Sequence, residues 1–230
     1  MAIINYANKE VQFKIVYYGP ALCGKTTNLA YIHAQVNDTN KGELVSLATA
    51  ADRTLFFDFL PLNAVVIKGF KTKFQLYTVP GQVIYNATRQ LVLRSVDGVV
   101  FVADSQWEKM EENIASFANL QDNISRQGQT MESIPYVLQY NKRDMPNPAP
   151  VHYLEYVLNN RRVRVPSFVG VATTGQGVFS TLNAISRLLL QKFAWENEQA
   201  VAKHQRGAAS AHTSLSGIAA ASSMTPPRIS

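Results

Sequence analysis

Short, nearly continuous apolar stretches recur along this chain, and polar or turn-forming residues separate them at intervals that suit strands alternating with helices. Residues 13–18 form a β-branched and aromatic run, then a glycine-bearing turn, then helical spacing over residues 25–36. Residues 64–70 and 73–79 read as two strands joined by a tight turn, an antiparallel pair. Residues 98–103 and 134–140 are apolar without alternation, the pattern of strands buried on both faces. Between them Met110, Ile114, Phe117, Leu120 and Ile124 fall at three- and four-residue steps, which predicts a helix over residues 107–126 with one apolar face. A short strand over residues 167–171 precedes a last helix that runs from residue 178 to beyond Trp195. This order predicts an α/β fold with a mostly parallel central sheet, one antiparallel strand pair and helices on both faces.

The composition changes near residue 203. From there to the end, 18 of 28 residues are Ala, Ser, Gly, Thr or Pro and none is aromatic. Such a segment cannot offset its conformational entropy by burial, which predicts a disordered tail. One domain is therefore expected over residues 1–198, followed over residues 199–230 by a helix end and an Ala/Ser-rich tail. The net charge of +6 divides in the same place: the tail holds Lys203, Arg206 and Arg228 and no carboxylate. What remains is weakly basic, and no stripe interleaves aromatic with basic residues, so nucleic acid is not an expected partner. Hydrophobic residues at 47% and charged residues at 17% exclude a charged, disordered class for the bulk of the chain. No apolar run approaches the roughly 18 residues of a transmembrane helix. The first ten residues lack a basic-then-apolar signal pattern, and the single cysteine, Cys23, excludes an intrachain disulfide. A cytoplasmic location is expected.

The turn after residue 18 carries chemistry. Gly19, Pro20, Ala21, Leu22, Cys23, Gly24, Lys25 and Thr26 match G-x-x-x-x-G-K-[ST], placed after a strand and opening a helix. In such a loop successive backbone N–H groups converge on phosphate oxygens, and the helix N-terminus adds partial positive charge. Lys25 reaches the β- and γ-phosphates, and the Thr26 hydroxyl suits Mg²⁺, a hard ion that takes oxygen ligands. Cys23 invites a nucleophilic reading, but no His/Asp constellation supports it, and a small packed loop residue is expected instead.

A second motif, Asn141, Lys142, Arg143 and Asp144, follows the apolar run ending at Tyr140. A carboxylate at Asp144 can accept from both N1–H and N2–H₂ of guanine; adenine lacks that paired donor edge and would leave the carboxylate unpaired. Asn141 can tie this loop to the phosphate loop, and the Lys142 stem can cover the ring face. Ala172, Thr173, Thr174 and Gly175 follow the last short strand, placed to donate a backbone N–H to guanine O6.

These three loops together resemble those of the Ras-like small GTPases. Longer stretches, residues 14–18, 52–61, 77–82 and 97–105, are similar to the MglA-like bacterial branch of that family. The resemblance runs from about residue 3 to residue 193 and leaves out the tail. It implies a P-loop NTPase G domain that binds GTP and GDP with Mg²⁺, hydrolyses GTP to GDP, and controls cell polarity or gliding motility. It also implies a roadblock-fold GTPase-activating partner, polarity or motility effectors, and concentration at the cell poles. The nucleotide contacts it assigns fall on Gly19, Ala21, Leu22, Cys23, Gly24, Lys25, Thr26, Thr27, Thr54, Thr78, Gly81, Asn141, Lys142, Asp144, Ala172 and Thr173. Thr26 and Thr54 are the implied metal ligands.

Thr78 stands where most small GTPases have the aspartate of D-x-x-G, a departure shared with the MglA-like pattern. Gly81 can offer its N–H to the γ-phosphate, and Gln82 is at the position that orients the attacking water. The resemblance makes Arg53 an arginine finger acting in cis. Ala21 is at a position often held by glycine in these GTPases, close to Gln82 and the γ-phosphate, where a methyl group is expected to crowd the transition state and slow hydrolysis without preventing binding. A non-hydrolysing GTP-binding scaffold therefore stays open as an alternative. Another P-loop enzyme, an ATPase or small-molecule kinase, is opposed by Asn141 and Asp144.

Overall fold

The computed structural model describes residues 2–46, 58–67 and 69–221. Its strands are β1 (Ile3–Asn5), β2 (Glu10–Tyr18), β3 (Val45–Ser46), β4 (Asp58–Ile67), β5 (Phe70–Thr78), β6 (Gly98–Asp104), β7 (Tyr136–Asn141) and β8 (Ser167–Val169). Its helices are α1 (Lys25–Gln35), α2 (Asn86–Leu93), α3 (Met110–Ser125), α4 (Val151–Leu158) and α5 (Val178–Ala221). The strands form one sheet in the order β3-β4-β5-β2-β6-β7-β8, with β1 paired antiparallel to the start of β2. The pairs β5–β2, β2–β6, β6–β7 and β7–β8 are parallel.

The chain leaves β2, builds β4 and β5 on one side of it, then crosses back to build β6, β7 and β8 on the other. The reversal makes the end of β2 a topological switch point, the place where open α/β sheets bind ligands. The C-terminal ends of β5, β2, β6, β7 and β8 all open on one sheet edge, with Tyr17 level with Thr78, Asp104 with Asn141 and Tyr140 with Val169.

Every residue of β6 and β7 is buried, as their unbroken apolar runs predict. On one face Val16, Tyr18, Val99, Phe101, Leu138 and Tyr140 pack with residues of α2, α3 and α4. Ile15, Val100, Val102 and Val137 alternate to the other face, where α1 contributes Leu29 and Ile32 and α5 contributes Leu182, Ile185 and Leu189.

The structure corrects several sequence-derived boundaries. The antiparallel pair is β4–β5, which turns at Gly69, so β4 reaches back to Asp58 instead of starting at residue 64. Pro61 lies within β4, where it cannot donate to a neighbouring strand. It is tolerated because β3, the outer neighbour of β4, is only two residues long, and the Pro61 carbonyl still accepts the Gly42 N–H at 3.0 Å. The short pairings of β1 and β3 are antiparallel as well. In α3, Ile114 is 46% exposed while the neighbouring Asn113 is fully buried. Asn113 takes the inward position because its amide ties off the end of β6, accepting the Asp104 N–H at 2.9 Å and donating to the Asp104 carbonyl at 2.7 Å.

The chain divides into two compact units, Met1–Leu189 and Leu190–Ser230. In the second unit α5 continues to Ala221, so residues 203–221, expected to be disordered, are helical. The same small-residue composition that denies this segment a core is rich in alanine, the strongest helix former. Among the described residues no helix is long and apolar enough to cross a membrane.

Phe101 lies fully buried at the centre of the sheet, its ring centroid 4.9 Å from that of Phe117. Phe101→Ala should lower stability by about 3–5 kcal/mol, read as a lower urea midpoint at unchanged slope.

Candidate functional site

The loop between β2 and α1 has the curvature expected of an anion cradle. Leu22, 85% exposed, and Gly24 both take left-handed backbone conformations, with φ of 59° and 101°. Gly24 is required for a second reason: a Cβ there would collide with Nδ2 of Asn141. Lys25 begins α1 and is nearly buried, its ammonium donating to the Gly19 carbonyl at 3.1 Å and the Pro20 carbonyl at 2.6 Å. Cys23 is fully buried, and burial together with the nearby Asp104 carboxylate pushes its thiol up, against the pull of Lys25. A thiol so held stays protonated, which suits a packed residue and not a nucleophile.

Asn141, at the end of β7, is the junction of the site. Its Nδ2 donates to the Cys23 carbonyl at 2.8 Å, and its Oδ1 accepts the Ala172 N–H at 2.9 Å. One buried amide thus joins the phosphate loop, the Asn141 loop and the Ala172 loop. A second amide pair braces the same corner from within. Asn28 Nδ2 donates to the Gly24 carbonyl at 2.9 Å and to Gln139 Oε1 at 2.8 Å, and Gln139 returns a bond to Asn28 Oδ1 at 3.0 Å.

Lys142 adopts a left-handed conformation, φ 64°, and its ammonium pairs with Asp104 Oδ2 at 2.7 Å. Asp104 is completely buried, and its other oxygen accepts from the backbone and side-chain nitrogens of Gln106, both at 3.1 Å. Motif reading missed Asp104. Its signal was there, an acidic residue closing an otherwise apolar strand. Asp144 and Thr173 lie exposed on the same edge, and Ala172 is buried there.

At the end of β5, Thr78 is buried while Gln82 is exposed. Gly81 packs directly on the phosphate loop: a Cβ on it would collide with the backbone of Ala21 and lie 2.9 Å from the Pro20 carbonyl. The structure thus brings Gly81 to the loop containing Ala21. Thr26 and Thr27 follow Lys25 in the first turn of α1. Arg53 and Thr54, with the apolar run that follows them, lie outside the described residues.

With phosphate-side and base-side loops set on one sheet edge and tied by a single amide, the fold is that of a P-loop G domain. No protein-family model matches the chain. Over 190 residues it is 57% identical to the mutual gliding-motility protein MglA of Myxococcus xanthus (strain DK1622), an alignment that covers 83% of this chain and 96% of that protein. The chain belongs to the MglA-like family of small GTPases.

Asn141→Ala removes both bonds of the junction and leaves a buried carbonyl and a buried N–H unpaired. Stability should fall by about 1–3 kcal/mol, and guanine nucleotide affinity should fall with it. Chemical denaturation and equilibrium binding on the same preparation check the two effects.

Proposed function

We propose that this chain is a guanine nucleotide switch that binds GTP and GDP and hydrolyses GTP with Mg²⁺. The observation that carries the reading is the Asn141 junction, which puts a base-reading loop and a phosphate-binding loop in fixed relation. Asp144 reads guanine, Lys142 lays its stem along the ring, and Ala172 and Thr173 meet the base edge. Gly19, Ala21, Leu22, Cys23, Gly24, Lys25, Thr26 and Thr27 surround the phosphates. Thr78 and Gly81 bound the γ-phosphate side.

The donor chemistry fits Mg²⁺. Hydroxyl oxygens are hard donors of the kind this ion takes, and threonines would supply them here. Thr26 is the described one, and Thr54 the second. An ion that keeps several waters and prefers phosphate oxygens needs little more from the protein. When bound, it neutralises charge on the β- and γ-phosphates.

Gln82 orients the attacking water and Arg53 stabilises the transferring phosphoryl group in cis. Both must be ordered before turnover, so basal hydrolysis is slow and a partner accelerates it by positioning them. A roadblock-fold dimer is the expected partner. By analogy with the gliding-motility protein MglA, the process controlled is motility or cell polarity, with the protein in the cytoplasm and concentrated at cell poles. Residues 1–198 form the switch domain, and residues 199–230 are an addition to it. The close approach of Gly81 to the Ala21 backbone supports one second reading, a scaffold that binds GTP without turning it over, in which the methyl group of Ala21 would crowd the transition state. Single-turnover hydrolysis beside nucleotide retention separates the two.

Asp144→Asn should weaken GTP binding and improve binding of xanthosine triphosphate, whose donor pattern is reversed; equal affinity of the unaltered protein for ATP and GTP would refute guanine recognition. Arg53→Ala and Gln82→Ala should each keep GTP binding while lowering partner-stimulated hydrolysis by about a thousandfold or more. The two losses should be non-additive, because both residues serve one transition state. Full stimulated activity in Arg53→Ala would remove the cis finger.

A further inference from the structure

Arg89 sits in the middle of α2 with its side chain completely buried. Its guanidinium donates from Nε to the Pro80 carbonyl at 2.8 Å, from Nη2 to the Gly81 carbonyl, and from Nη1 to Asn119 Oδ1 at 2.7 Å. The group also lies over the Tyr18 ring, 5.2 Å from its centroid. The Tyr18 hydroxyl donates to Asn119 Oδ1 at 2.5 Å and accepts from Asn123 Nδ2 at 3.1 Å, so the acceptor of Arg89 is itself held. Among the described residues no carboxylate pairs with Arg89.

A buried guanidinium without a counter-charge is costly, and an apolar side chain would fill the same space more cheaply. What the charge achieves is set by its acceptors. The peptide bond is planar and trans, so its C=O and N–H point in opposite directions. The Pro80 carbonyl shares a peptide plane with the Gly81 N–H, and the Gly81 carbonyl shares one with the Gln82 N–H. Holding both carbonyls toward α2 turns both amides away from it, while Gly81 itself packs against Pro20 and Ala21 of the phosphate loop. A cation on each carbonyl also polarises its peptide and makes the N–H a stronger donor.

We propose that Arg89 is a positioning residue for the terminal phosphate: it aims and polarises the Gly81 amide, and preference for triphosphate over diphosphate depends on it. The inference rests on the guanine nucleotide reading. Arg89 touches no nucleotide itself and acts only through the backbone of residues 80–82.

The test measures dissociation constants of the full chain for Mg²⁺·GDP and for a non-hydrolysable Mg²⁺·GTP analogue, in the parent, Arg89→Gln and Arg89→Lys. Arg89→Gln should weaken the triphosphate by about tenfold or more, the loss of one charge-assisted hydrogen bond, while GDP affinity stays within about threefold of the parent. Arg89→Lys keeps the charge and one carbonyl contact and should recover part of the preference. A purely structural role would lower both affinities together. Parallel losses, or an unchanged triphosphate-to-diphosphate ratio in a folded variant, would overturn the proposal. If Arg89→Gln does not fold, the ratio in Arg89→Lys decides on the same terms. Failure of the parent to bind either nucleotide would instead overturn the guanine nucleotide reading, and the proposal with it.

Discussion

Four carbonyls of the phosphate loop, at both of its ends, are held from inside the protein, and the rest of the site depends on this. Lys25 takes those of Gly19 and Pro20, Asn141 that of Cys23, and Asn28 that of Gly24. A planar trans peptide whose oxygen is drawn inward directs its N–H outward. A loop tied off in this way meets an anion with the N–H sides of its peptides. The ties also explain the neighbours' identities. Asn at 141 and 28 has an amide that can donate to the loop and accept from elsewhere at once, which a carboxylate cannot do. Asn141 spends its acceptor on the Ala172 N–H and Asn28 spends its own on Gln139, so the loop is anchored to β7 and through it to the sheet.

What the sequence showed, and what it hid, follow from how far each interaction reaches along the chain. Residues 19–26 and 141–144 are contiguous motifs whose meaning is local, and the tie from Asn141 to the phosphate loop could be anticipated because both loops follow apolar strands of one sheet. The strands buried on both faces, β6 and β7, were equally legible, since packing of their apolar residues determines most of their length. Asn28 and Gln139, by contrast, lie 111 residues apart, and each alone reads as an ordinary polar residue. Asp104 and Arg89 were hidden in the same way. Their burial makes sense only once Lys142 and the Pro80 carbonyl are known to lie beside them. Ile114 misled because an apolar residue at helical spacing outranks an asparagine until the end of β6 is seen to need Asn113.

Lys142 and Lys25, two cations of this sheet edge, have different partners. Lys142 is neutralised by Asp104, so it offers its neighbourhood an aliphatic stem and not a net charge. That suits the uncharged face of a purine, and it leaves the phosphate side to Lys25. Placing the carboxylate on β6 serves this division. Asp104 is buried, held by Gln106, and reaches Lys142 from beneath the loop. Burial, with a smaller contribution from the nearby Asp104, raises the Cys23 thiol against the pull of Lys25.

Lys25 and Arg89 are both held by backbone carbonyls, yet they differ in what can displace those carbonyls. Lys25 donates to the neutral carbonyls of Gly19 and Pro20, with which a phosphate oxygen would compete under the proposed function. An ionised acceptor makes a hydrogen bond roughly twice as strong as a neutral one, so under the proposed guanine nucleotide reading the ammonium would turn to the phosphate. Arg89 has no such choice. It lies beneath α2 with Tyr18 and Asn119 around it, and no anion reaches it without opening the core. Under that reading one cation would respond to the ligand while the other holds still. Gly81, packed against Ala21 at the mouth of the loop and with its carbonyl held by Arg89, is the residue on which the two meet. A switch needs both kinds of contact: one that changes with the ligand and one that does not, so that the change has something to be measured against.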